Sequence, residues 1–174
     1  MPLSLHSAFV PSALQMLGST RKLVDKAEAW CAEQGCAPGE LIGARLAEDM
    51  FAFDYQVKSV AVHTQGALEG VREGVFSPDT ATPPDSFDAL RDRLVSAIAA
   101  LEAADEAEME SWIGRPMVFR IRDTFMDFTA EKFLLSFSQP NFYFHATTAY
   151  DLLRMKGVPV GKRDYMGRLW LQPR

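Results

Sequence analysis

The amino-acid sequence predicts an all-α fold in which four long helices pack as a bundle. Apolar residues recur at every third or fourth position in four long segments, and stretches rich in Pro, Gly, Ser and Asp separate these segments. Only the short stretch from Val118 to Arg122 alternates apolar and charged residues in the manner of a strand. Because one isolated ribbon does not make a sheet protein, we expect an irregular or short-ribbon connection before the last helix.

The first two helices are predicted from their apolar stripes and from the residues at their ends. Helix one is expected to start at Pro11, which suits a first turn, and to end at Gly35, with residues 3–10 forming an earlier turn kinked at the proline. Helix two is expected from about Ala44 to Gly74. Its predicted apolar face consists of Leu46, Met50, Phe53, Val57, Val60 and Ala67.

Helices three and four follow two loops. The stretch "VFSPDTATPPDS" is typical of a loop, and Asp85 or Ser86 can cap a third helix over residues 87–109. The fourth helix is expected from Pro140 to Gly157, where the glycine adopts a left-handed conformation and ends the helix. Long connections before helices three and four permit a topology other than simple up-down.

Composition indicates one globular domain over residues 1–174. The net charge of −5 argues against a nucleic-acid partner, and no apolar run approaches the roughly 20 residues that a membrane span needs. The start "MPLSLHSAF" lacks the pattern of a secretory signal, so we expect a cytoplasmic protein. In a reducing compartment Cys31 and Cys36 are expected to be free thiols, although their spacing permits a bridge.

Charge is distributed unevenly along the chain. Residues 154–174 carry six Lys and Arg residues and one acid, a local charge of +5 that leaves −10 on the rest of the chain. The segment is expected to fold onto the acidic body. Alternatively, Lys162 and Arg163 reach an anionic ligand. The stretch "GVPVGKRD" lacks the glycine spacing of a phosphate-binding loop, so a helix end and a turn explain it better.

Two histidines are candidates for chemistry. His63 shares one side of helix two with Asp49 and Gln56, but Asp49 and His63 lie roughly 20 Å apart along such a helix and cannot bind one ion. His145 lies beside the apolar stripe of helix four, among aromatic residues that either fill the core or line a small-molecule pocket.

The residues leave the role of these histidines open. The positions three and four after His145 hold Thr148 and Ala149, so helix four offers no second ligand there, whereas catalytic zinc generally needs three protein ligands. His63 and His145 either meet at a metal or form hydrogen bonds within a helix interface. A metal-free acid/base role for His145, with Tyr150 nearby, is a further alternative.

Several stretches carry a resemblance to a known family. "NFYFHATTAYDLLRMKGVPVGKRDYMG" resembles the closing signature of a bacterial domain-of-unknown-function family in the DinB/YfiT-like superfamily. "ARLAEDMFAFDYQVKSV" is similar to that family's second helix, "FVPSALQML" with "LVDKAEAW" to its first, and "SFDALRDRL" to its third. The resemblance implies a four-helix bundle in up-down-down-up order, often assembled as a homodimer.

The resemblance also implies a candidate chemistry. Better characterised relatives bind a divalent metal through one histidine of helix two and a pair from helix four, and some are thiol-dependent transferases or isomerases. In this sequence His63 corresponds to the helix-two histidine and His145 to one histidine of helix four. Ala149 occupies the position of the second helix-four histidine. The chain is therefore expected to be a ligand-binding or non-catalytic member with an incomplete metal triad. The alternative is a thiol transferase or isomerase that uses zinc or nickel.

Candidate substrate-binding residues complete the prediction. Tyr150, Lys162 and Arg163 are expected to contact a small-molecule or anionic ligand, and neither a nucleic acid nor a membrane is expected as a partner.

Overall fold

The structure is a computed structural model, and it describes residues 3–171. Over this range the chain is mostly helical, with one small three-stranded sheet. In chain order the elements are α1 (Leu5–Gln34), α2 (Gly39–Ile42), α3 (Phe53–Ala61), a first π-helical turn (Val62–Gly66), α4 (Ala67–Glu73), β1 (Val75–Phe76), α5 (Phe87–Glu102), α6 (Glu106–Glu110), β2 (Pro116–Ile121), β3 (Thr124–Thr129), α7 (Ala130–Lys132), a second π-helical turn (Phe133–Ser138), α8 (Gln139–Met155) and α9 (Lys162–Met166).

Helix α1 is longer than predicted. It begins at Leu5, where the Ser4 hydroxyl caps the first turn by accepting a hydrogen bond from the Ser7 amide, and it continues through Pro11. Burial explains the difference, because Leu5 and Phe9 are core residues that only a helix through the proline can place on the same face as the rest of the stripe. The predicted start at Pro11 is wrong, and the predicted end at Gly35 is confirmed.

The second helical segment starts nine residues later than predicted. Residues 45–52 form turns that the Phe53 amide closes by donating to the Ala44 carbonyl at 2.9 Å. Leu46, which the predicted stripe had placed in the core, is exposed. From Phe53 the chain is helical through the first π turn to Glu73, and Gly74 ends it with a φ of 77°.

The third predicted helix divides into two. Ser86 caps α5 by accepting from the Ala89 amide at 3.2 Å, as predicted. The helix ends at Glu102, and the Asp105 carboxylate caps a separate helix, α6, that ends at Glu110. The single helix predicted over 87–109 is therefore interrupted by a competing cap.

A sheet is present, so the all-α prediction is wrong in this respect. Strand β2 pairs antiparallel with β3 and parallel with β1, which places β2 in the centre. The predicted ribbon is not isolated because Val75 and Phe76, in a segment predicted to be loop, pair with Val118 and Phe119. Met117 and Phe119 are buried, so the sheet contributes one face to the core.

The last long helical segment runs over residues 130–155, ten residues further towards the N-terminus than predicted. Pro140 lies inside this segment, two residues after the second π turn, and the neighbouring Asn141 side chain donates to the Phe137 carbonyl at 2.7 Å. The Asn141 side chain thus adds a hydrogen bond at the irregular turn, and the helical segment continues through Pro140. Gly157 then takes a φ of 87° after the end of α8, as predicted.

The core lies where the long helices meet. α1 packs against α5, α8 and α9, and α3 packs against α5 and α8. The largest fully buried side chains include Trp112 and four phenylalanines, Phe9, Phe53, Phe133 and Phe142. None of the helices within residues 3–171 has the length and apolar character needed to cross a membrane. The packing of α3 against α8 creates the seam that holds both candidate histidines.

Candidate functional site

His63 and His145 lie next to each other across this seam. His63 belongs to the first π turn and His145 to α8, and their ring centroids are 5.7 Å apart with an angle of 15° between the ring planes. The prediction named these two residues as possible partners in one site. The structure brings them together.

Gln56 orients His145. The Gln56 side-chain amide donates from Nε2 to the Phe51 carbonyl at 2.9 Å, which turns its Oε1 towards His145. Oε1 lies 2.7 Å from Nδ1 of His145 and can only accept, so Nδ1 of the neutral imidazole carries the proton. The Nε2 atom of His145 is then left with a free lone pair, which can accept a hydrogen bond or bind a metal.

Ser138 contacts His63. Its hydroxyl donates to the His63 backbone carbonyl at 3.0 Å and lies 3.4 Å from Nδ1 of the same residue. Ser138 is fully buried in the second π turn, so the two π turns face each other at this point. The contact holds the backbone that carries His63 and leaves Nε2 of its ring without a hydrogen bond from Ser138.

Both imidazoles are neutral at physiological pH. Burial lowers the pKa of His63 to about 3, with a smaller contribution from His145, and burial lowers the pKa of His145 to about 4. Neutral rings present lone pairs rather than positive charge. The site therefore offers nitrogen ligands or hydrogen-bond acceptors.

A cavity of about 180 Å³ opens beside the two rings. Lys58 and Asp79 form part of its wall, and Lys58 is almost completely buried. The Lys58 ammonium donates to the Asp79 carboxylate at 3.0 Å and to the Asp79 and Ala81 carbonyls at 3.0 and 2.5 Å. Burial raises the pKa of Asp79, but the Ala81 amide, Lys58 and Arg93 outweigh it and lower that pKa. These charges compensate each other and hold the wall in place.

Aromatic side chains surround the ring of His145. Phe51 stacks on Tyr55 with centroids 3.9 Å apart, and Tyr55 and Phe144 lie 6.0 and 5.4 Å from the His145 ring. Phe51 and Phe144 are 57% and 55% exposed, which places apolar surface next to the histidine. Phe76, Phe119 and Phe137 line the cavity itself. The surroundings favour an aromatic or apolar ligand.

Asn141 is a lining residue that the sequence did not predict. It lies four residues before His145, on the same side of the helix, and it lines the cavity. Its Nδ2 donates to the Phe137 carbonyl, which leaves its Oδ1 as an available oxygen ligand. Considering positions on both sides of His145, instead of only those after it, would have found this residue.

The donor set fits a metal in part. Within residues 3–171 no group of three His, Cys, Asp or Glu side chains is placed to hold an ion. In a tetrahedral zinc site each histidine nitrogen lies about 2.1 Å from the ion and about 1.1 Å from the centroid of its own ring. The centroids of two imidazoles that bind the same zinc ion therefore lie roughly 5.2 Å apart. The observed 5.7 Å between His63 and His145 is close to that value. The centroid spacing is therefore compatible with two nitrogen ligands, and Asn141, four residues before His145, lines the same cavity and carries a neutral amide oxygen.

The other predicted site residues lie elsewhere. Tyr150 packs against Tyr165 with ring centroids 5.7 Å apart, and neither residue lines the cavity. Lys162 and Arg163 are exposed on α9. The structure does not bring these predicted substrate contacts to the two histidines.

Comparison with known proteins shows which family has this architecture. The family described as "Domain of unknown function (DUF1993)" matches residues 5–166. A crystal structure of a DinB family member protein from Shewanella denitrificans is similar over 98% of this chain and 96% of that chain, with a TM-score of 0.81 and 27% sequence identity. No curated protein matches the chain. The chain therefore belongs to the DinB-like family that is described as a domain of unknown function, DUF1993.

Proposed function

We propose that this protein binds a small uncharged molecule in the cavity beside His63 and His145. One observation carries the proposal: two neutral imidazoles meet at an aromatic-walled cavity, and His145 donates from Nδ1 to Gln56 Oε1, which leaves its Nε2 as the acceptor nitrogen. The charged groups of the wall, Lys58 and Asp79, are already occupied by each other. The preferred ligand is planar and apolar and carries one O–H or N–H donor for Nε2 of His145.

Phenol is a suitable probe because it combines a small ring with one donor. Histidine ring nitrogens are followed by NMR while phenol is added to the protein. The Nε2 resonance of His145 is expected to shift, and that of His6, which lies on α1 away from the cavity, is expected to stay unchanged. A Gln56→Leu variant should weaken the shift because the imidazole loses its fixed tautomer. Equal movement of both histidines, or none at millimolar phenol, would contradict the proposal.

A second candidate function is a divalent-metal site. The ring spacing of 5.7 Å supports it, with His63 and His145 as nitrogen ligands and the Asn141 amide oxygen or water completing the coordination of zinc or nickel. A metal bound there would act as a Lewis acid and lower the pKa of a bound water or thiol, which is the chemistry that a thiol transferase or isomerase needs. The protein itself would provide the lone pairs of two neutral imidazoles, and Gln56 would hold His145 in the tautomer that binds through Nε2.

Metal content decides between the candidates. Protein purified without chelator from metal-replete medium is analysed by elemental mass spectrometry beside the His63→Ala, His145→Ala double variant and the His6→Ala control. Near-stoichiometric zinc or nickel in the wild type and the control, lost in the double variant, is expected for the metal site. Metal-free wild-type protein would rule out that function and leave the ligand proposal in place.

We also infer that the long helices form a four-helix bundle with up-down-down-up topology. Gln56 forms a hydrogen bond with His145, and His63, which comes later than Gln56, contacts Ser138, which comes earlier than His145. The helical segments that carry these residues, α3 and α8, therefore run in opposite directions. Further contacts along α1 support the order: the Gln139 side chain donates to the Ala8 carbonyl near the start of α1, while Gly157 lies by Trp30 near its end, so α8 runs parallel to α1. Arg91, near the start of α5, pairs with Asp25 and Glu28 near the end of α1, so α5 runs against α1. Homodimer formation stays a prediction, and light scattering of the purified protein tests it.

A further inference from the structure

The segment after α9 creates a second cavity on another side of the protein. Residues 167–171 lie over α1 and border an open cavity of about 690 Å³. Gly18 and Ser19 of α1 and Ile98 of α5 form its floor. None of the residues that line it belongs to the cavity beside the histidines. The volume is in the range of roughly 300–1,000 Å³ that is typical of small-molecule sites.

Two contacts of α9 and the close approach of Gly167 hold the start of this segment on α1. Asp164 accepts from the Gly161 amide at 2.8 Å and pairs with Lys26 of α1 at 2.7 Å. The Gln15 side chain donates to the Met166 carbonyl at 2.7 Å. Gly167 has a φ of 63°, and a Cβ there would lie 3.0 Å from the Ser19 Cβ, so only glycine lets the chain approach α1 this closely. The C-terminal segment is therefore anchored to α1 at Gly167, where this wall of the cavity begins.

The charge of this cavity differs from the expectation for the basic C-terminal segment. That segment was expected to fold onto an acidic surface, but it lies on a part of α1 that contributes Arg21 and Lys22, and it adds Arg168. The lining contains one acid, Glu102. Arg174, also part of the predicted basic segment, lies outside the described residues. Like charges are thus concentrated at one cavity, which favours an anionic occupant.

Arg21 has a further feature. Its Nε atom is buried and has no hydrogen-bond partner within residues 3–171. Within the same range, Arg21, Lys22 and Arg168 form no salt bridge. A buried donor without a partner costs free energy, which a bound acceptor would recover. The planar fork of a guanidinium matches a carboxylate well.

The remaining lining is apolar. Leu14 and Ile98 lie on the helix side, and Leu169 and Trp170 on the side of the C-terminal segment. Trp170 is 67% exposed, so most of its aromatic surface is open to contact with a ligand. A ligand that fits both halves needs a negative head and an apolar body.

We propose that the cavity between α1, α5 and residues 167–171 binds an amphiphilic carboxylate, with the carboxylate on Arg21, Lys22 and Arg168 and the hydrocarbon body against Ile98 and Trp170. This site is separate from the histidine cavity and independent of the function proposed there.

Decanoate is the test ligand, and decanol is the control with the same chain length and no charge. Calorimetric titration of the full chain is expected to give saturable binding of decanoate at least about tenfold tighter than that of decanol. Decanoate should also change the tryptophan fluorescence, and this change should disappear in Trp170→Phe. Both ligands are used below their aggregation limits.

Charge variants locate the site. Arg21→Gln, Lys22→Gln is expected to weaken decanoate binding about tenfold or more. Lys132→Gln, Lys156→Gln makes the same change in net charge at exposed positions that do not line the cavity and should bind within twofold of the wild type. Arg168→Gln tests the segment side independently of α1, and circular dichroism confirms that each variant is folded.

Three outcomes would overturn the proposal. Decanol that binds as tightly as decanoate would show a merely apolar groove. Equal weakening in the two double variants would show dependence on total charge instead of a site. Binding that appears only in a chain truncated after residue 171 would show that the chain's own end occupies the cavity.

Discussion

Acidification from pH 7 to pH 5 is expected to destabilise the protein through His63 and His145. Burial lowers their pKa values to about 3 and about 4, whereas an unfolded histidine titrates near 6.5. Between the folded and unfolded pKa values the unfolded chain binds more protons than the folded protein. The stability that the neutral rings contribute is therefore fully present above about pH 6.5 and is lost as the pH falls below that value.

The magnitude follows from these pKa values. At pH 5 nearly every unfolded histidine is protonated and both folded rings are neutral, so each residue costs about 2 kcal/mol relative to pH 7. Together His63 and His145 lower the free energy of unfolding by about 4 kcal/mol, a large part of the 5–15 kcal/mol that is typical of a domain. Carboxylates contribute little in this window because their unfolded pKa values lie near 4.

Urea unfolding at pH 7 and pH 5, followed by circular dichroism, measures this loss. The His63→Gln, His145→Gln double variant is the matched comparison, since it keeps polar side chains and removes both titrations. Its stability should change by about 1 kcal/mol or less between the two pH values. If the wild type and the variant lose the same stability, or the wild type loses less than about 1 kcal/mol, burial of the two neutral rings is not what makes the protein sensitive to acid.

Three further substitutions test the packing around the site, each measured by urea unfolding beside the exposed control Val95→Ala. Lys58→Met should cost about 3 kcal/mol because it leaves a part-buried carboxylate without its main partner, and a neutral result would contradict that account of the wall. Gly70→Ala should cost about 1–3 kcal/mol, since the new methyl group would lie 3.0 Å from the Phe76 Cβ. Phe133→Ala should cost about 3–5 kcal/mol because it empties a fully buried position, and a loss no larger than that of the control would place Phe133 outside the core.

Local signals in the sequence predicted several helix ends correctly. Gly35 and Gly157 adopt left-handed conformations after their helices, and Ser86 caps α5. The predicted starts at Pro11 and Pro140 are wrong, because the helix continues through each proline. Burial of residues before each proline outweighs the lost hydrogen bond, and this tertiary effect is not visible in the local pattern.

The sheet escaped prediction because one of its strands is very short. Val75 and Phe76 lie in a segment whose composition is typical of a loop, and two residues show no alternation. Only the pairing with Val118 and Phe119, more than forty positions later, makes them a strand. Such a contact between distant parts of the chain has no periodic signature.

The site was predicted in its two histidines and missed in their surroundings. Asn141 lies four residues before His145 and therefore about 40° away around the helix, on the same side. Tyr150 lies five residues after His145, about 140° away, which explains why it contacts Tyr165 instead of the cavity. Helical angles alone favour Asn141 over Tyr150 as a residue that lies beside His145. The roles of Lys58 and Asp79 depend on a loop conformation that the sequence does not reveal.

The two π turns have a consequence for the evolution of this seam. A π turn accommodates one residue more than a regular helical turn, so everything after it is rotated by about 100° relative to an uninterrupted helix. Each turn thus has the form of a single-residue insertion, one of them at His63 and the other at Ser138. In a homologue that lacks either extra residue, the side chains after that turn would face a different side of the helix. An alignment with such a homologue needs a one-residue gap at the turn so that equivalent positions superpose.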